Sequence, residues 1–118
     1  MIVGVGVDLV DLNRFELKLA QTKGLAERIF TADEIGARPE SLAGYWAAKE
    51  ALIKAIGNPT GFSFQDVSVT KDSSGKPALV VAGETKKRAD EMGIRNWHLS
   101  ISHDGGMAVA MVIAESGN

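Results

Sequence analysis

The 118-residue chain has no cysteine, which excludes disulfides and thiolate metal sites and agrees with a reducing, cytoplasmic setting. No apolar run approaches the roughly 20 residues needed to span a bilayer. The apolar start Met1-Ile2-Val3-Gly4-Val5-Gly6-Val7 lacks a basic leader and is cut short by Asp8, so it reads as a strand and not as a signal peptide. Charge is nearly balanced, at −2, so nothing global draws nucleic acid or membrane, and an anionic partner would need a local basic patch. No metalloprotease helix, nucleotide-binding loop or dinucleotide fingerprint occurs. Linkers, low-complexity segments and tandem repeats are likewise missing.

What is present is an ordinary globular composition, 45% hydrophobic and 24% charged, in one domain over residues 1–118. A chain this short buries a real core but gains from oligomerisation. Thirteen glycines announce several tight turns. Over residues 2–10, Val3, Val5, Val7 and Leu9 point one way and Gly4, Gly6 and Asp8 the other. Glycines recurring on one strand face leave room for another backbone or a ligand. Either Asp8 or Asp11 can cap the helix that follows.

Residues 12–30 read as helical, with Leu12, Phe15, Leu19, Ala26 and Phe30 on one side. If the helix runs through Gly24, Arg14, Lys18, Gln21, Leu25 and Arg28 share the opposite side. That basic stripe suits an acidic partner helix, or is simply solvated. Thr31-Ala32-Asp33-Glu34 predicts a cap and the first turn of a short helix, and 36–40 a loop. A longer helix follows, with Ser41 as N-cap, Gly57 as terminator and Pro59 beyond. Asn58-Pro59-Thr60-Gly61 predicts a turn. Strands are expected at 64–71 and 78–82 around the Asp72-Ser73-Ser74-Gly75 loop, and at 97–102 and 107–114 around His103-Asp104-Gly105-Gly106. In the third of these, Trp97, Leu99 and Ile101 face the core. A helix at 84–92 ends at Gly93. Hairpins of this kind imply a mostly antiparallel sheet packed with helices, an α+β class.

The central helix carries the notable charges. Leu42, Trp46, Ile53 and Ile56 share an apolar stripe with Lys49 inside it, while Ala43, Ala47, Glu50 and Lys54 follow one another on an adjoining face. Glu50 and Lys54 fit an ordinary i, i+4 pair contributing about 0.3 kcal/mol, with Lys49 snorkelling out. They equally fit a site, because two small side chains leading to a carboxylate and an ammonium admit close approach. Asp8 and Glu50 together suit Mg²⁺, which keeps waters and completes its shell with phosphate. Lys54, with Lys49 and Lys76, would neutralise phosphate charge. His103 and Asp104 offer a phosphate contact or a proton acceptor, or are surface turn residues.

Four motifs occur in order: Gly4-Val5-Gly6-Val7-Asp8-Leu9-Val10, then Ala47-Ala48-Lys49-Glu50-Ala51 with Lys54-Ala55, then Gly75-Lys76-Pro77, then Leu99-Ser100-Ile101-Ser102-His103. Each is weak singly. As an ordered set spanning residues 4 to 103 they resemble the holo-[acyl-carrier-protein] synthase family, the AcpS-type phosphopantetheinyl transferases.

The resemblance implies a 4′-phosphopantetheinyl transferase-like fold and transfer of 4′-phosphopantetheine from coenzyme A to a serine of apo-acyl carrier protein. The products would be holo-carrier and adenosine 3′,5′-bisphosphate, and the process fatty acid biosynthesis. It implies Mg²⁺ on Asp8 and Glu50, and coenzyme A contacts from Lys49, Lys54, Gly75, Lys76, Pro77, Ser102 and His103. Arg14 matches a carrier-docking position, and the basic stripe adds Lys18 and Arg28. The family implies a homotrimer with a site at each subunit interface. Where many relatives carry arginine this chain has Tyr45, and the 36–40 loop is short. The motifs leave four acceptors open for the serine proton: water at the metal, Glu50, His103 and Asp104. Two other readings are a non-catalytic coenzyme A or carrier-protein binding module, and a structural oligomer built on the glycine-cleared strand face.

Overall fold

The computed structural model describes residues 1–57 and 60–117. Asn58 and Pro59 of the anticipated turn lie outside the described residues. Strand β1 (Ile2–Asp11) leads into helices α1 (Leu12–Gln21), α2 (Leu25–Ile29) and α3 (Pro39–Ile56). A 3₁₀ turn (Phe64–Asp66), strands β2 (Val67–Lys71) and β3 (Pro77–Val81), helix α4 (Gly83–Glu91) and strands β4 (Ile94–Asp104) and β5 (Met107–Ser116) complete the order. One sheet runs β1-β5-β4 and the other is the β2-β3 hairpin; every pairing is antiparallel. The α+β expectation is met. Among the described residues no helix is long and apolar enough to cross a membrane.

Alternation sorts the three-stranded sheet into two faces. Gly4, Gly6, Asp8 and Val10 lie opposite Ala114, Val112, Ala110 and Ala108 on β5, which in turn face Trp97, Leu99, Ile101 and His103 on β4. This inner face receives α3, whose Ala43, Ala47, Ala48, Ala51 and Ala55 are buried. Small residues on both sides bring helix and sheet together. A Cβ at Gly4 would collide with the carbonyl oxygen of Ala55, and one at Gly6 with that of Ala51. The backbone that the glycine-cleared face admits is therefore that of α3. The outer face carries Val5, Val7, Leu9 and Met111 in the open, Leu9 at 63% exposure.

Four local expectations are corrected. The helical segment 12–30 breaks, because Thr22 caps α1 and Gly24 takes φ 77°, which an L side chain resists. The segment after Thr31 makes a single turn and no helix: Glu34 N–H and Ile35 N–H reach the Thr31 carbonyl, but the Glu34 side chain is drawn inward instead. Helix α3 starts earlier than Ser41, with Arg38 as N-cap and Pro39 pre-set for the first turn, so residues 39 and 40 are helix and not loop. Gly57 ends it at φ 81°, as anticipated. Finally, the strand expected from 64 begins at Val67, since Ser63 caps a 3₁₀ turn there.

Candidate active site

Asp11 is the N-cap of α1, its Oδ1 accepting from Arg14 N–H at 2.9 Å. That leaves Asp8 free for another role. Asp8 lies on the inner face of β1, with its side chain 18% exposed and Oδ1 accepting from Lys54 Nζ at 3.0 Å. Lys54 also donates to the Val7 carbonyl at 3.0 Å. It reaches across from α3 and bonds β1, so the anticipated Glu50–Lys54 helix pair gives way to a bridge between elements. Glu50 is half-buried, and its Oε1 accepts from Trp46 Nε1–H at 3.1 Å.

Asp8 and Glu50 line one cavity of about 250 Å³ together with Arg14, Phe15, Lys18 and Trp46. The second oxygen of each carboxylate, Asp8 Oδ2 and Glu50 Oε2, has no protein donor among the described residues. Nor do three or more His, Cys, Asp or Glu side chains cluster there. Two hard oxygen donors open to solvent, with a basic rim, fit Mg²⁺, which keeps waters and takes the rest of its shell from phosphate. They do not form a closed structural cage.

A second cavity, about 210 Å³, is walled by Ser41, Gly44, Tyr45, Lys71, Gly75, Pro77, Ile101 and His103. The β2-β3 loop is shaped by Asp72, whose Oδ1 accepts from Ser74 Oγ at 2.6 Å, Ser74 N–H at 2.8 Å and Lys76 N–H at 3.0 Å. Gly75 takes φ 87° in that turn. The Ser74 hydroxyl, and after it the Lys76 amide, hold the Asp72 carboxyl below its ordinary pKa. His103 Nε2 lies 2.8 Å from the Glu40 carbonyl, and Gly44 keeps α3 close, since a Cβ there would stand 3.1 Å from the ring. His103 and Asp104 both border a third hollow beside Glu40 and Gly105.

The anticipated residues thus fall into two groups. Asp8, Glu50, Lys54, Arg14 and Lys18 come together. Gly75, Pro77 and His103 come together elsewhere, away from the two carboxylates. Lys76 and Ser102 are exposed and line neither cavity; Ser102 stands on the outer sheet face opposite Val109. Arg28 sits on α2, separated from Arg14 and Lys18 by the break at Gly24, so the basic stripe is not continuous.

Lys49 is a correction. It is fully buried and donates to Ile29 O at 2.7 Å, Glu34 Oε1 at 2.7 Å and Phe64 O at 3.2 Å. All three ammonium protons are taken, so none remains for coenzyme A. Burial pulls its pKa below the ordinary lysine value, against the hydrogen bond and charge of Glu34. Glu34 was unforeseen, as was Lys71, whose Nζ stands 5.6 Å from the Tyr45 ring centroid. A cation ending a strand just before an Asx loop was the available signal for Lys71.

The profile of the 4′-phosphopantetheinyl transferase superfamily matches residues 4–111. This chain belongs to that superfamily. The holo-[acyl-carrier-protein] synthase of Frankia casuarinae is 52% identical over 116 residues, covering 98% of each chain. Among solved structures, holo-ACP-synthase from Plasmodium yoelii superposes with TM-score 0.87 at 29% identity, covering 100% of this chain and 98% of that one. A holo-(acyl-carrier-protein) synthase from Bacillus anthracis, in complex with CoA (3′,5′-ADP), gives 0.81 at 38% identity, covering 99% of each. The family, the α+β fold and the transferase class agree with the motif reading.

Proposed function

We infer that this protein is a single-domain, cytoplasmic phosphopantetheinyl transferase that moves 4′-phosphopantetheine from coenzyme A to a serine of apo-acyl carrier protein, in fatty acid biosynthesis. The observation that carries this is the convergence of Asp8 and Glu50, from a strand and a helix, on one cavity rimmed by Arg14 and Lys18. The Bacillus anthracis relative with CoA (3′,5′-ADP) bound supports coenzyme A as donor.

Asp8 and Glu50 would hold Mg²⁺, which supplies charge neutralisation on the pyrophosphate oxygens of coenzyme A. Lys54 adds a cation beside Asp8, half-exposed and able to swing to a phosphate oxygen. The serine oxygen forms a bond to the phosphorus on the pantetheine side, and the bond from that phosphorus to the bridging oxygen breaks. Adenosine 3′,5′-bisphosphate leaves with the electron pair, and the serine proton passes to solvent or to a nearby base. Positioning and electrostatics dominate such a transfer. Arg14 and Lys18 on α1 suit an acidic carrier helix. The Tyr45–Lys71–Gly75–Pro77–His103 cavity suits the nucleotide end of coenzyme A, with Lys71 supplying a cation where many relatives have arginine at the position of Tyr45.

The two cavities are walled by successive stretches of α3, Ser41 to Tyr45 and Trp46 to Glu50, and the outer sheet face with Val5, Val7, Leu9 and Met111 is uncovered in one chain. Assembly into a homotrimer through that face would bury it and let neighbouring subunits complete each site. An apo-carrier protein incubated with this protein, coenzyme A and Mg²⁺ should gain about 340 Da, the mass of the added group. Coenzyme A binding without any mass gain across several carriers would move the reading to a non-catalytic binding module.

A further inference from the structure

We propose that Trp46 is a positioning residue that fixes the Glu50 carboxylate and ties its orientation to the partner-facing surface of α1. The inference rests on the reading of Asp8 and Glu50 as the metal carboxylates. A glutamate on a helix surface has three free torsions and no preferred aim. Here one oxygen is committed: the indole N–H, a donor with a single proton, meets Glu50 Oε1 at 3.1 Å from one turn earlier on α3. Oε2 is the oxygen left for the cation. Partners of this kind set the geometry and basicity of ligating carboxylates.

The indole is itself held. Its ring lies 5.0 Å from that of Phe15, tilted by 44°, and Phe15 meets Phe30 edge-on at 6.1 Å. Phe15 is 2% exposed, so the stack anchors Trp46 to the core through α1. On the ring stands Lys18, with Nζ 5.4 Å from the centroid, an attraction between a cation and the negative ring face. Lys18, Trp46, Glu50 and Asp8 all line the same cavity. A carboxylate-bearing partner that engages Lys18 acts on the ring that holds Glu50. Docking surface and metal carboxylate share one side chain.

Two measurements test this. In the Trp46→Phe protein the ring and its stacking persist while the N–H is gone. Mn²⁺ affinity, read from the free-ion electron paramagnetic resonance signal with Mn²⁺ standing in for Mg²⁺, should fall about ten-fold, with thermal unfolding unchanged. In the Trp97→Phe protein, whose one remaining tryptophan is Trp46, Mg²⁺ should change the emission, and Lys18→Ala should change it in the absence of metal. Glu50→Gln separates the two readings. If Glu50→Gln loses Mn²⁺ while Trp46→Phe binds like the parent, or if Trp46 emission ignores Mg²⁺, the positioning role is overturned. If Glu50→Gln leaves Mn²⁺ affinity intact, the metal reading beneath it falls, and this proposal with it.

Discussion

Lys49 Nζ and Glu34 Oε1 meet at 2.7 Å in the core, with 0% and 1% of their side chains exposed. Glu34 also accepts from Thr31 N–H at 2.9 Å and Val69 N–H at 2.7 Å, so one carboxylate joins the α2–α3 connection, α3 and β2. Breaking a buried pair leaves an unpaired charge, at a cost of about 3–5 kcal/mol. Lys49→Met and Glu34→Gln should each lower stability by about that amount in urea unfolding, and the double replacement should cost less than the sum. Additive losses would mean that the two charges do not depend on each other.

Lys54 holds Asp8 without being a candidate metal ligand. Lys54→Met should therefore keep divalent-ion binding while slowing transfer by about 100-fold, the scale of losing one group that stabilises developing charge. Steady-state transfer alongside Mn²⁺ binding checks this. Loss of both together would make Lys54 a prop for the metal site and nothing more.

Lys71 lines the second cavity, its Nζ over the Tyr45 ring. Lys71→Ala should raise KM for coenzyme A about ten-fold, the size of one charge-assisted contact, and leave kcat near that of the parent. A drop in kcat with KM unchanged would place Lys71 in the chemical step.

The Asp72 loop has a definite pH response. Its carboxyl titrates lower when folded than when unfolded, chiefly through the Ser74 hydroxyl. The loop stabilisation is complete above the ordinary carboxylate pKa and is lost as pH falls through the lowered folded value. Amide protection factors at Ser74 and Lys76, taken against the intrinsic exchange rate at each pH, should fall over that acid range ahead of global unfolding. In Asp72→Ala protection should be low at every pH.

The outer sheet face offers a direct test of assembly. Val7→Asp places a charge among Val5, Leu9 and Met111 without touching the inner face. Sedimentation should show the parent as a trimer and the variant as a monomer with intact secondary structure. A parent that sediments as a monomer would remove the trimer from the proposed function.

The fold was legible wherever local signals sufficed. Alternation gave the strands, Gly57 the end of α3, and Gly105-Gly106, at φ 57° and 77°, the last hairpin. The meeting of Asp8 and Glu50 at one cavity was legible because their setting, a cleared strand face and a small-residue helix face, is written in sequence order. The fate of Lys49 was not. A lysine in an apolar stripe reads as snorkelling or functional, and only the fold brings Glu34 to it from fifteen residues away. The start of α3 was misplaced because Ser41 is the better capping residue, while Pro39 fixes the first turn regardless. The separation of His103 from the two carboxylates also lay beyond local pattern, since it depends on which strand lies in the middle of the sheet.

The contact of β1 with α3 at Gly4 and Gly6 has a bearing on ion choice. Backbone meets backbone at the Ala55 and Ala51 carbonyls, so strand and helix cannot slide apart or tighten without a collision or a void. Asp8 and Glu50 ride on these two elements, so their backbone positions are anchored by main chain and not by adaptable loops. Ca²⁺ favours a yielding cage of many oxygens, whereas Mg²⁺ tolerates little departure from short, regular spacing. Were Asp8 and Glu50 to hold a divalent ion as proposed, main-chain anchoring of this kind would favour the smaller one, and the two missing methyl groups at Gly4 and Gly6 would be its cause.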